Sequence, residues 1–260
     1  MLFYNNHGIE LYCGDALEES INILDNSVDA VICDPPYGIT GCDFDKVVPF
    51  DKMWEMIHRV CKPNAPVILF ASQPFTCDLI NSNRKEFKYE LIWKKNVPTG
   101  MSLAKYRPMK YHETILVFHT NSSSTYNPIM KPRVGIGKDC YRYDHYCGSN
   151  NHLKDMKKVK KKYDPDFVQP SSILDFNVVP NRNGKLHPTQ KPVDLMEYLI
   201  KTYTNENDVV LDFTAGSGST GIAAMNVDRK CILIEKEENY CNIILNRIED
   251  EFLCINQKIF

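Results

Sequence analysis

The run Val209-Val210-Leu211-Asp212-Phe213-Thr214-Ala215-Gly216-Ser217-Gly218-Ser219-Thr220-Gly221 constrains the fold more than any other stretch of this chain. It reads as a short apolar strand, a turn of small residues and the start of a helix, and small residues let a ligand approach the backbone closely. The helix, running to about Met225, leads to a second apolar run, Cys231-Ile232-Leu233-Ile234, that ends on Glu235. That spacing suits an acidic side chain binding ribose hydroxyls. Together these pieces make a nucleoside-binding half-fold. The loop does not match the G-x-G-x-x-G spacing of a dinucleotide oxidoreductase, and only about forty residues follow it. A dinucleotide fold begun there has no room to finish, so the remaining strands must come from the N-terminal side.

Apolar runs supply them. Ile9–Cys13, Val28–Cys33, Pro66–Phe70, Tyr89–Trp93 and Thr114–Phe118 have strand-like length and β-branched or aromatic content. With the two C-terminal runs they predict seven strands. Helix-like stretches at about 16–24, 50–61 and 74–82 lie between them. The alternation argues for an α/β fold, a mainly parallel sheet with helices on both faces, assembled in permuted order. The 260 residues, 43% hydrophobic, suffice for one substantial core and a small appended region.

The strand Val28–Cys33 runs into Asp34-Pro35-Pro36-Tyr37, which sets a carboxylate, a stiff backbone and an aromatic ring at a strand's carboxyl end, where ligands of open α/β sheets bind. Two successive prolines fix φ and remove donors, which predicts that the carbonyls of Asp34 and Pro35 are left to accept hydrogen bonds from something else. The Asp34 carboxylate is a further acceptor, and Tyr37 offers a π face to a planar heterocycle. This set suits the exocyclic amine of a nucleobase. An ordinary Pro-Pro turn is the competing account for the four residues alone.

Asp34-Pro35-Pro36-Tyr37 resembles the catalytic motif of the amino-group DNA methyltransferases, and the order of motifs, with the cofactor loop last, is similar to the β-group of that family over nearly the whole chain. The resemblance implies a Rossmann-like, seven-stranded, circularly permuted sheet with a loop-rich target-recognition insert, divided as 1–120 catalytic half, 121–186 recognition region and 187–260 cofactor half. It implies S-adenosylmethionine as cofactor, held by Asp15, Asp34, Thr189, Gln190, Lys191, Asp212, Phe213, Thr214, Ala215, Gly216, Ser217, Gly218 and Glu235. Gly14-Asp15 resembles the family's acidic turn near the adenosine, with a surface turn as the alternative. His187-Pro188-Thr189-Gln190-Lys191-Pro192 resembles the motif over the methionine end, where the amides of a following helix can bind a carboxylate. A plain helix entry is the alternative there. Phe213 takes the place of a residue packing on the cofactor, although a core phenylalanine would look the same. Tyr240, in the terminal helix, is read as core packing.

The mechanism implied has Asp34 and the Pro35 carbonyl accepting from the amine of a base flipped out of the duplex, so that the nitrogen lone pair faces the methyl donor. Aspartate in first position resembles the adenine-modifying members, which favours adenine over cytosine. RNA or protein amide methylation, and an inactive nucleic-acid-binding module, are the more distant alternatives. Double-stranded DNA is the expected partner, with a cognate restriction endonuclease and a homodimer as further possibilities. No membrane is expected, since no apolar run approaches the roughly 18 residues of a span and the N-terminus lacks a signal pattern, which points to the cytoplasm of a bacterium or phage-infected cell.

The formal charge is only −2, but its distribution is uneven. Residues 121–190 hold 12 Lys and Arg against 6 Asp and Glu, leaving 19 basic and 27 acidic residues elsewhere. Within that segment Lys154, Lys157, Lys158, Lys160, Lys161 and Lys162 form a dense run suited to phosphates, and Arg142 lies among Tyr141, Tyr143 and Tyr146. A solvated basic loop is the competing account. Lys94–Gly100 follows a strand and is a candidate border of the target pocket. The ten cysteines contain no C-x-x-C pair and read as reduced. Cys140, His145, Cys147 and His152 match no familiar zinc spacing, so no metal is expected.

Overall fold

The aliphatic and aromatic runs form the strands β1 Leu2–Asn6, β2 Ile9–Cys13, β3 Ala30–Cys33, β4 Val67–Ala71, β5 Phe87–Thr99, β6 Lys110–Phe118, β7 Lys131–Pro132, β8 Phe167–Val168, β9 Ile173–Asp175, β10 Val209–Asp212 and β11 Lys230–Glu235. Helices are α1 Ala16–Glu19, α2 Phe50–Val60, α3 Phe75–Ser82, α4 Val193–Tyr203, α5 Ser219–Asn226 and α6 Glu238–Gln257. This computed structural model describes residues 1–39, 45–119, 124–133, 166–180, 186–187 and 189–257. The chain divides into two units, Met1–Asn127 with Ser172–Phe260, and Pro128–Ser171. In the smaller unit β7 and β8 pair antiparallel, Lys131 opposite Val168. This unit falls within the 121–186 stretch.

The larger unit is built on one sheet in the order β1-β2-β11-β10-β3-β4-β6-β5-β9. From β2 to β4 all pairings are parallel, and β4, β6 and β5 continue antiparallel. The C-terminal strands β10 and β11 thus sit between β2 and β3, which is the permuted order expected from the position of the glycine turn. The sheet has nine strands, however, where the sequence predicts seven. The additions are the edges β1 and β9. β1 is half exposed and ends in asparagines, so it shows little apolar pattern, while β9 has one buried residue of three. The signal for β1 is the two-residue turn His7-Gly8, both at positive φ, which matches the twist of a hairpin.

Successive side chains of a strand face opposite ways, and here both faces are covered. On one, Ile32, Ile68, Val210 and Leu233 meet Leu199 of α4, Ile222 of α5 and Ile244 of α6. On the other, Val31, Cys33, Leu69, Leu211 and Ile234 meet Trp54 and Ile57 of α2 and Leu79 of α3. Side chains of this size contribute roughly 1.5–3 kcal/mol each when fully buried. Helix α2 shows why the pattern folds this way: Met53, Trp54, Met56, Ile57 and Val60 form one buried stripe, and the Trp54 indole donates to Ser82 Oγ at 2.9 Å, tying α2 to α3. The stretch 16–24 is shorter than expected, because α1 passes into a 3-10 turn at Ser20–Asn22.

Candidate active site

β10 leads through α5 to β11 on one side, while β3 leads through α2 to β4 on the other, so the connections diverge between β10 and β3. Divergence leaves a crevice beyond the carboxyl ends of those strands. Asp212 ends one strand and Asp34 follows the other. A cavity of about 730 Å³ opens there. It is lined by Asp34, Pro35, Pro36 and Tyr37, by Asp15, by Thr189, Gln190 and Lys191, by Asp212 through Ser217, and by Glu235. Every residue that the sequence singled out for catalysis or cofactor contact therefore borders one cavity, except Gly218. Gly218 sits behind the loop at φ +77°, starting α5, where a Cβ would stand 2.9 Å from Ile244 Cγ1.

At the head of the cavity the Tyr37 hydroxyl donates to Asp34 Oδ1 at 2.5 Å, and Lys191 Nζ donates to Asp34 Oδ2 at 2.5 Å. Lys191 also lies 3.2 Å from Glu113 Oε2, and Lys95 donates to Glu113 Oε1 at 2.9 Å. Two lysines and two carboxylates thus form a closed, neutral cluster, with Lys191 8% and Lys95 4% exposed. The Lys191 ammonium also stands 4.8 Å from the Phe70 ring centroid. Burial pushes the Asp34 carboxyl above its ordinary range, against the attraction of Lys191. Burial acts on Glu113 in the same sense, but Lys191 and Lys95 together hold it down to about 2. Lys191 would lose charge by burial alone, yet Asp34 and Glu113 keep it raised and protonated. Burial and the Asp34 charge push the Tyr37 phenol well up, so it remains a donor. Perturbed groups held together in a cleft, with specific charge partners, mark a candidate functional site.

The Asp34 carbonyl departs from expectation. It accepts from Thr214 Oγ1 at 3.0 Å and is not left to a ligand, because the parallel pairing of β3 with β10 brings the Thr214 turn beside it. Among the described residues no donor reaches the Pro35 carbonyl. Tyr37 has one face taken, its ring stacking on Phe75 with centroids 5.1 Å apart. Asp45 fixes the turn that follows, accepting from the amides of Tyr37, Gly38 and Ile39 at 2.7 to 2.9 Å.

On the other wall Glu235 Oε2 accepts from the Gly216 amide at 2.7 Å and Oε1 from the Glu237 amide at 2.9 Å, so the carboxylate shapes the loop. A carboxylate has about four acceptor sites, so Glu235 retains capacity for a ligand hydroxyl. Asp212 accepts from the Thr220 hydroxyl and the Thr214 amide, and burial raises it to about 6. Asp15 caps α1, accepting from Leu17 N at 3.0 Å, while bordering the cavity. Phe213 is 1% exposed and belongs to the core as well as to the cavity wall. The Thr189 hydroxyl lies 3.0 Å from His187 Nδ1, and Gln190 Oε1 accepts from Leu186 N at 2.9 Å, bonds that form the entry to α4. Tyr240 is half-buried on the cavity wall, its ring 4.5 Å edge-on from His187, not in the core as its helical spacing suggests.

Sequence reasoning missed Glu113 and gave Lys95 only a place at a pocket border. Glu113 stands at the mouth of an apolar strand, where an acid reads as a solvent-facing end. Lys95 did carry a signal, since it falls two residues after the buried Trp93 and so faces the same side. Arg142, Lys154, Lys157, Lys158, Lys160, Lys161 and Lys162 lie outside the described residues, as does the Cys140 to His152 cluster. The described cysteines are free, and Cys33, Cys61, Cys231 and Cys241 are buried.

A family model described as DNA methylase matches residues 28–246. The type II methyltransferase M.HpaI of Haemophilus parainfluenzae is 27% identical over 93% of this chain and 74% of its own length. The DNA adenine methyltransferase YhdJ of Escherichia coli is 29% identical, covering 95% of this chain and 84% of its own. Among solved structures, the M1.HpyAVI–SAM complex superposes with a TM-score of 0.60 at 25% identity, over 92% of this chain and 98% of that one. The PvuII DNA methyltransferase, cytosine-N4-specific, has a TM-score of 0.61 at 17% identity over 88% of this chain and 82% of its own, a likeness of fold.

Proposed function

Because the chain belongs to the N6/N4 family of S-adenosylmethionine-dependent DNA methyltransferases, we propose that its cavity receives an adenine extruded from double-stranded DNA and directs methylation to the exocyclic amine. The observation that carries this reading is that Asp34 and the Gly216 turn, 182 positions apart in sequence, border the same cavity. Adenine is supported by aspartate at the first motif position and by the 29% identity to a protein named DNA adenine methyltransferase.

The cavity suits S-adenosylmethionine. Gly216 brings no side chain to the wall, and a Cβ there would stand 3.7 Å from the His187 ring. Glu235 and Asp15 offer acceptors for hydroxyls, and Asp212 through Gly218 with Thr189, Gln190 and Lys191 complete the proposed holding residues. When bound, the cofactor supplies a methyl group on a sulfonium. The chain's own residues do the rest. Asp34, through its remaining lone pairs, and the Pro35 carbonyl accept from the two amine hydrogens and orient the nitrogen lone pair, which is otherwise delocalised into the ring. Pro36 keeps that carbonyl in place by fixing the backbone. Tyr37, whose ring borders the cavity, is the residue proposed to stack on the base, offsetting part of an extrusion cost of a few kcal/mol. Lys191 opposes the pull of burial on the Asp34 carboxyl and favours its ionised form. The methylated nitrogen carries a surplus proton, and Asp34, made more basic by burial, is the group to take it.

Around this centre, Arg142, Lys154, Lys157, Lys158, Lys160, Lys161 and Lys162 are proposed contacts to DNA within a 121–186 recognition region. A cognate restriction endonuclease and a homodimer complete the proposed partners, and the cytoplasm is the proposed location. Among the described residues no helix is long and apolar enough to cross a membrane. Nucleoside mass spectrometry on DNA from cells expressing the protein tests the base: N6-methyladenine is expected, and N4-methylcytosine without it refutes the assignment.

A further inference from the structure

We propose that the tip of the β5–β6 hairpin docks on duplex DNA beside the extruded base, with Lys105 and Arg107 against phosphates and Tyr106 against the bases left in the stack. The inference rests on the reading of the cavity as the target-base site. β5 and β6 close on the pair Thr99 and Lys110, and both residues line the cavity, as does Lys95. The tip between them therefore begins at the cavity's rim.

Its backbone is ordered by its own hydrogen bonds, from Leu103 N to Gly100 O at 2.9 Å, from Tyr106 N to Leu103 O at 2.9 Å and from Arg107 N to Leu103 O at 3.1 Å. Yet it buries nothing. Residues 101–108 are all exposed, Met101 by 73% and Tyr106 by 84%. A rigid turn that holds large apolar side chains in water and contributes none to the core is a contact surface awaiting a partner.

The charge says which partner. Residues 94–112 carry five Lys and Arg and no Asp or Glu, in a chain whose formal charge is −2. Lys94 is paired with Asp175 and Lys95 with Glu113, whereas Lys105 and Arg107 have no carboxylate partner among the described residues. Lys110, half-buried at the rim, has its pKa lowered by burial; Glu113 opposes that shift, while the nearby Lys95 and Arg107 charges add to it. A polyanion that also exposes π faces satisfies both halves of this surface. Duplex DNA opened at one base pair is such a partner, and apolar or aromatic side chains inserted at an opened step stabilise the opening.

The test compares wild type with Lys105→Ala/Arg107→Ala and with Tyr106→Ala. All three side chains are solvent-exposed and the turn is held by backbone bonds, so cofactor affinity, measured alongside by calorimetry, is expected to be unchanged. Binding to duplexes of any sequence is measured against salt. The double variant should flatten the slope of log K against log salt by about 1.8, the loss of two phosphate contacts. For Tyr106→Ala the readout is 2-aminopurine fluorescence at the target position of a duplex carrying the methylated word, and a lower signal is expected. An unchanged slope overturns the docking assignment whatever the fluorescence does, and unchanged fluorescence overturns the position given to Tyr106. Loss of self-association in sedimentation with the slope intact would assign the tip to a second copy of the chain instead. Wild-type methyl transfer is scored on the same duplex, so its absence would count against the cavity reading and not against the hairpin.

Discussion

At the scale of single residues, the proposed chemistry turns on Lys191. Among the described residues its ammonium is the one cation paired with Asp34, and it shares that charge with Glu113. In the proposed mechanism Asp34 accepts in its ionised form, so activity is expected to fall as pH drops through its pKa, which burial has moved upward. Lys191→Met removes the opposing charge, raises the Asp34 pKa further and shifts the acid limb of the kcat/KM profile to higher pH. A profile unmoved from wild type would show that Lys191 has no hold on Asp34. The variant should also be less stable, by about 3–5 kcal/mol, the usual cost of leaving a buried charge without its partner. Lys191 was legible from its motif as a residue of the cavity. Its bond to Asp34 was not, because the partners stand 157 positions apart and nothing in either motif records which lysine meets which acid. Glu113 was illegible for the same reason: it matters only because β6 lies next to β4.

At the scale of elements, the glycine turn between β10 and α5 holds its shape through a fixed set of contacts. Gly218 adopts φ +77°, and any side chain there would press on Ile244 of α6. Gly218→Ala should therefore cost about 1–2 kcal/mol from left-handed backbone strain, with more from the collision, and should weaken cofactor binding by displacing Gly216 and Ser217. Urea unfolding and cofactor calorimetry on one preparation check this. Stability equal to wild type would mean that the turn is looser than its packing indicates. The central strands were readable because both their faces are buried, which makes Ala30–Cys33 and Cys231–Ile234 continuous apolar runs. The edge strands β1 and β9 were not, since an edge with few buried side chains leaves little periodicity. The terminal helix illustrates the opposite error. Tyr240 has core-like spacing, yet it falls where α6 starts, at the mouth of the cavity and not over the sheet.

Across the whole molecule, the permuted strand order does the functional work. Inserting β10 and β11 between β2 and β3 sets the ends of β10 and β3 side by side, so a cofactor turn near the C-terminus and an acceptor motif near the N-terminus meet without any long connection between them. The position of the glycine turn made this legible in the sequence, because a sheet with too few strands after its cofactor loop must borrow those before it. The single-turnover rate of methyl transfer to DNA by Asp34→Ala, at saturating S-adenosylmethionine, tests the account most directly. A fall of at least about a hundredfold is expected, the usual scale for losing a group that orients the reacting nitrogen, and a rate near that of wild type would contradict the role of the cleft between β3 and β10.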